Sequence, residues 1–394
     1  MAAATALCAA ACTVLAPGAA ADSIRDNQQW VLDMMDIPAA WQQTGGAGVT
    51  VAVIDSGVDP YVSDLAGSVI TGPDLSGVST SSSNPNWGVH GTWMASLIAG
   101  HGHDGGGSGV IGIAPQSTIL SIRVIPDRTD PHYGAYTREQ ESTIQKSLAG
   151  GIDYAVRHGA KVISMSIGYG APSAAVEAAL LNANARGVVV IASAGNSGGP
   201  SDADYGGMAP VSFPAEYPGV ISVGAVDDNG DVASFSSDNL SVQLAAPGVS
   251  VPAQGRDGQY WWVSGTSPAC ALVAGVAALI KSRYPGLAPD LVVSALITTT
   301  SGRPRDGYDN EEGFGIVNAA AALAKAGQLA AHRPSVTSVP LAFRFGGGPA
   351  AVPAAPVRPR GPGPLILFAL LGLASLVLIG VAGSRLAALG RSSP

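Results

Sequence analysis

Cysteine is almost missing from this chain, with three residues in 394. Two of them, Cys8 and Cys12, lie in the first apolar stretch, which leaves Cys270 alone beyond it. A disulfide framework is thereby excluded for everything after that stretch, and stability there must come from packing. Charge is also scarce, at 12% of residues, and acidic residues stop altogether at Glu312. Up to that point the chain holds all 28 acidic and 13 of its 20 basic residues, a formal −15, and the remainder carries +7. Such a balance argues against nucleic acid as a partner of the main portion and suits a basic tail lying near anionic lipid.

What abounds is small and apolar: 47% of residues are hydrophobic, with 52 Gly and 28 Pro. That composition fits a tightly packed exported protein with many turns, long enough for one large core or two ordinary ones. No internal repeat is present.

Both ends carry membrane signals. Residues 1–21 are apolar and end in Ala19-Ala20-Ala21, the small-residue pattern of a signal peptide cleavage site. Leu365 to Gly383 is free of charge and predicts one transmembrane helix of about 28 Å, close to the hydrocarbon thickness of a bilayer. Arg358 and Arg360 precede it and Arg385 and Arg391 follow it, so flanking charge does not set the orientation. The signal peptide does, placing the main domain on the extracytoplasmic side of the cell membrane and residues 384–394 in the cytoplasm. Between these ends lie an N-terminal extension (22–45), the main domain (46–330) and a Pro/Gly/Ala-rich linker (331–364).

From Gly48 onward, short β-branched runs alternate with helix-like stretches. Strands are expected over Val49 to Gly57, Thr118 to Ile125, Ala160 to Gly168 and Val188 to Gly195. Helices are expected over Glu141 to Arg157, Ser173 to Gly187 and Asn318 to Leu329. This rhythm predicts an α/β fold with a mostly parallel sheet and helices on both faces, where ligands bind beyond the carboxyl ends of the strands.

Asp55, in "VIDSGVD", is a charge at the mouth of a buried strand, where it requires a partner. His90, in "WGVHGTWMASLIAG", stands at a helix start, and Ser267 stands in "VSGTSPACALVAG". A serine hydroxyl needs a base, and the base needs a carboxylate to hold its tautomer, so the three types together suit nucleophilic catalysis. Each taken alone has a plainer reading: Ser267 a helix cap, Asp55 a turn residue, His90 a core histidine.

The blocks Asp55-Ser56-Gly57, His90-Gly91-Thr92 and Gly265-Thr266-Ser267, in this order, resemble those of the subtilisin-like serine proteases over roughly Gly46 to Leu323. The resemblance implies catalytic Asp55, His90 and Ser267, and, through "SAGN" at Ser193 to Asn196, an oxyanion donor at Asn196 beside the Ser267 N–H. It also implies that Ser164, Met165, Ser166, Ile167 and Gly168, together with Ala192, Ser193, Ala194 and Gly195, bind an extended protein or peptide substrate through backbone pairing. The chain departs from the family pattern at Ala271, where a proline is common, at Pro268, and at Trp93, where a second histidine often stands. The signal peptide, linker and single span narrow the resemblance to the mycosins, which implies attachment to a type VII secretion system and its membrane proteins. The alternative is a structural subunit that stabilises a secretion complex, with proteolysis secondary.

Cys270, one helical turn after Ser267, reads as an inert packed residue rather than a redox group. His101, His103 and Asp104 have no further ligand nearby at fixed spacing and read as a solvated glycine-rich loop rather than a zinc site. Family members often bind calcium, but no full oxygen-ligand set is found here, so no metal and no cofactor is assigned.

Overall fold

The computed structural model describes residues 21–134, 141–199 and 208–332. The chain divides into two units, Met1–His332 and Arg333–Pro394, and every described residue belongs to the first. The predicted transmembrane helix and cytoplasmic tail lie outside the described residues, as do the signal peptide except Ala21 and the linker except residues 331–332.

A seven-stranded sheet forms the centre, in the order β2-β5-β1-β6-β7-β8-β9, with every neighbouring pair parallel. Its strands are β1 (Thr50–Asp55), β2 (Val69–Asp74), β5 (Thr118–Arg123), β6 (Val162–Met165), β7 (Val189–Ser193), β8 (Val220–Val226) and β9 (Val242–Pro247). The four strands expected from sequence are β5, β1, β6 and β7, which stand side by side in the middle of the sheet. Two antiparallel hairpins flank it, β3 (His101–His103) with β4 (Ser108–Ile111) and β10 (Val251–Gln254) with β11 (Tyr260–Val263).

Alternation along β1 explains the layers. Val51 and Val53 join the core that holds α3 (Val89–Ala99) and α6 (Thr266–Arg283), whereas Ala52 and Ile54 join the core under α4 (Glu141–Arg157) and α5 (Ala174–Ala185). Successive strand residues face opposite ways, so Asp55, next in the series, turns toward α3 and α6. Helix α6 is apolar on all sides and buried along most of its length, as befits a central helix rather than a surface one.

The N-terminal extension is part of this body. Helices α1 (Ala21–Met34) and α2 (Ile37–Trp41) and the turn between them bury Ile24, Val31, Leu32, Met35 and Ile37. Arg25 Nε donates to Gly109 O at 2.9 Å, Gln28 exchanges two hydrogen bonds with Ile111, and Trp41 Nε1 donates to Ile113 O at 2.9 Å. These contacts fasten the extension to the β3–β4 hairpin and the segment after it. Helices α7 (Pro289–Ile297) and α8 (Ala319–Ala331) complete the α6 side, and the Asn318 side chain caps α8 by accepting from Ala321 N.

Candidate active site

Asp55 ends β1 with 1% of its surface exposed, so its carboxylate must find donors inside the protein. Ser56 N donates to Oδ1 at 2.6 Å, and His90 Nδ1 lies 2.9 Å from Oδ1 and 3.0 Å from Oδ2. A carboxylate accepts, so Nδ1 carries the proton and Nε2 is left as the base. The His90 side chain is 26% exposed, and its ring meets Trp93 edge-on. Trp93, which replaces the second histidine of the family pattern, is buried and also packs on Trp261.

Helix α3 approaches β1 closely enough to need glycine. A Cβ on Gly91 would collide with the Gly57 carbonyl oxygen, which accounts for the glycine beside His90. Burial works against protonation of His90, and the charge and hydrogen bond of Asp55 work for it. Asp127 adds to them and Arg128 subtracts, and the imidazole is held above its usual pKa.

Ser267 is the second residue of α6, after Gly265 at the N-cap, and is partly exposed. Pro268 is therefore the third helical residue, within the turn whose N–H groups have no partner in the helix. Parallel pairing sets Val53 beside Ser164, so Ser166 lies level with Asp55, and Ser166 Oγ donates to Ser267 O at 3.2 Å. The carboxyl end of the sheet thus brings Asp55, His90 and Ser267 to one face. No hydrogen bond joins His90 to Ser267 here, and such contacts commonly tighten only when substrate is bound.

Asn196 follows β7, and its Oδ1 accepts from Thr266 N at 2.8 Å and Thr266 Oγ1 at 2.9 Å. These two donors fix the orientation of the carboxamide and leave Nδ2 as the free donor beside Gly265. Thr266 was read from sequence only as part of the serine block, and its role toward Asn196 has no local sequence signal.

Of the candidate substrate-binding residues, Ser164 and Met165 lie in β6, Ala192 and Ser193 lie in β7, and all four are buried, as are Ile167 and Ala194. Their side chains serve the core, so contact with a ligand would fall to backbone and to Ser166, Gly168 and Gly195. A residue missed in sequence stands between the last two. A Cβ on Gly168 would lie 2.5 Å from Ser212 Oγ, and one on Gly195 would lie 3.6 Å from Ser212 Cβ.

Cys270 is fully buried, with its Sγ 3.7 Å from Ser164 Oγ, and burial pushes its thiol up to about 11. That makes it a poor thiolate. The expected loop at His101 to Gly109 is instead a hairpin. His101 bonds the carbonyls of Gly102 and Ala66, while His103 Nδ1 meets the buried Asp64 at 2.6 Å. Asp64 also accepts from Val110 N and Tyr260 OH, a polar knot tying this hairpin to β11. Among the described residues no three or more His, Cys, Asp or Glu side chains gather as a metal site.

A parallel α/β sheet with an Asp–His pair and a helix-start serine at its strand ends defines a serine peptidase class of the α/β type. Residues 46–315 match the model of the subtilase family. Subtilisin DY of Bacillus licheniformis is 36% identical over 277 residues, 70% of this chain and 91% of that protein. Subtilisin BL of Lederbergia lenta is 34% identical over 300 residues, 74% of this chain and 97% of that protein. Among solved structures, MycP1 from Mycobacterium smegmatis aligns with a TM-score of 0.62 at 30% identity, covering 75% of this chain and 84% of that one. The MycP3 protease from the type VII (ESX-3) secretion system aligns with a TM-score of 0.62 at 31% identity, covering 75% and 87%. The chain belongs to the subtilase family and is a subtilisin-like serine endopeptidase.

Proposed function

We propose that this chain is a membrane-anchored extracytoplasmic endopeptidase in which Asp55, His90 and Ser267 act as the triad. His90 Nε2 takes the proton from Ser267 Oγ as it attacks a peptide carbonyl, and Asp55 steadies the imidazolium that forms. Asn196 Nδ2 and the Ser267 N–H donate to the oxyanion. The acyl-enzyme is then hydrolysed by water with His90 again as base. The observation that carries this reading is the bifurcated Asp55–His90 contact at 2.9 and 3.0 Å, on the same face as Ser267. Substrate would lie along the backbone of Ser166 to Gly168, with its first side chain between Gly168 and Gly195 and Ser212 at the base of that pocket. The predicted span over residues 365–383 and the likeness to MycP1 and MycP3 support a site of action at a type VII secretion complex.

A fluorophosphonate, which labels only activated serines, tests the triad. The chain is expected to take up label and Ser267→Ala to take up none. Label retained by Ser267→Ala would sink the reading.

A further inference from the structure

Helix α3 starts without a cap of its own. Its N-cap is Gly88, in the left-handed region with φ 69°, and no side chain of its own segment satisfies the first turn. The missing acceptors come from elsewhere. Asp127, in the loop after β5, accepts from His90 N through Oδ2 at 2.7 Å, and Ser56 Oγ accepts from Gly91 N at 3.1 Å. The same Ser56 hydroxyl donates to Asp127 Oδ2 at 3.0 Å. Its direction is fixed, because Gly91 N can only donate and a hydroxyl has one proton to give.

Asp127 is 4% exposed and Ser56 1% exposed. The other oxygen of Asp127 accepts from Thr129 N at 3.2 Å and from Thr129 Oγ1 at 3.1 Å. Four donors therefore converge on one buried carboxylate, two from its own loop and two from the blocks that carry Asp55 and His90. Ser56 is bonded on both sides, through its N–H to Asp55 and through its hydroxyl to Asp127. A single residue thus spans two carboxylates, one facing the His90 ring and the other its backbone.

We propose that Asp127 is a positioning residue for the reaction: it caps α3 from a neighbouring loop and, through Ser56, fixes the His90 ring against Asp55. This rests on the triad reading above. The ring can swing only as far as its backbone allows, and displacements near 1 Å in such a site cost about a hundredfold in rate. A carboxylate suits this place better than a neutral acceptor because it accepts every one of the four bonds and its charge favours the positive end of the helix.

The groups facing His90 are Asp55 from the end of β1 and Asp127 and Arg128 from the loop after β5; the first turn of α3 contributes no acidic residue. Removing the charge of Asp127 while keeping its shape takes away support for the imidazolium, so the pH at which His90 loses its proton falls.

The test is the rate of fluorophosphonate labelling of the whole chain between about pH 5 and 9, for wild type, Asp127→Ala, Asp127→Asn and Ser267→Ala. Asp127→Ala, which loses the cap, is expected to label at least about tenfold more slowly. Asp127→Asn can still accept from His90 N and Ser56, so most of the rate returns, with the acid midpoint moved to lower pH. That shift is one a merely structural role would not produce. A folded Asp127→Ala labelled at the wild-type rate, or an Asp127→Asn midpoint equal to wild type, overturns the proposal. If Asp127→Ala does not fold, the Asp127→Asn midpoint decides alone. Labelling of Ser267→Ala would instead overturn the triad itself, so the two failures are distinct.

Discussion

At the residue scale, His90 and Asn196 are each committed by a neighbour. His90 is held above the usual histidine pKa, so its neutral, basic form prevails only above that raised value. The kcat/KM for a fluorogenic peptide is expected to fall as pH drops through a midpoint above about 6.5. A midpoint at or below that value would contradict the balance in which Asp55 and Asp127 outweigh burial. For Asn196, removal of the donor in Asn196→Ala should lower kcat about 100- to 1000-fold with little change in KM, since the bond matters chiefly in the transition state. Thr266→Val keeps the backbone donor but loses the hydroxyl that orients the carboxamide. The same hydroxyl accepts from Gly195 N at 3.2 Å, so two bonds are lost, and steady-state kinetics should show a smaller loss than for Asn196→Ala, about tenfold. Equal losses in the two variants would mean that Thr266 acts on something other than Asn196.

At the scale of elements, legibility followed burial and contiguity. The central strands β1, β5, β6 and β7 are short unbroken apolar runs, and the helix expected over Glu141 to Arg157 ends at Arg157 in the structure. Strand β2, "VITGPD", was not anticipated, because Gly72, Pro73 and its exposed positions break the pattern at the sheet edge. Helix α1 carries polar Gln28 in the middle of its buried face, where it bonds Ile111 instead of packing, so its apolar stripe is interrupted. The triad blocks were readable because each packs its chemistry into three adjacent residues. Asp127, Ser212 and Thr266 act on residues 37, 44 and 70 positions away, and only the fold brings them there. The small residues of α6 were visible too, but their reason was not. A Cβ on Gly275 would stand 2.5 Å from Ile113 Cβ, well inside contact distance. Gly275→Ala should therefore destabilise the protein by about 1–3 kcal/mol in urea unfolding, and adding Ile113→Gly, which removes that Cβ, should cost less than the sum of the two single changes. Strict additivity would mean that the two positions do not share the contact.

For the whole molecule, two physical effects could hold the chain at a membrane, and they separate cleanly. The portion after Glu312 carries +7, which attracts anionic lipid, while residues 365–383 offer an uncharged apolar run. Electrostatic attachment collapses in concentrated salt, because at 1 M the screening length is about 3 Å. Insertion of an apolar helix does not, since burial of hydrocarbon is strengthened rather than screened by many salts. A chain ending at Pro364 removes the span but keeps Lys325, Arg333, Arg344, Arg358 and Arg360, five of the seven basic residues. If the span is the anchor, the whole chain should stay in the membrane pellet through 1 M salt and alkaline carbonate, and the chain ending at Pro364 should appear in the supernatant at low salt. Retention of that shortened chain at low salt with release at high salt would assign the attachment to charge. The enzyme would then be a peripheral protease, free to leave the surface when ionic strength rises, and its likeness to secretion-system proteases would have to rest on the catalytic domain alone.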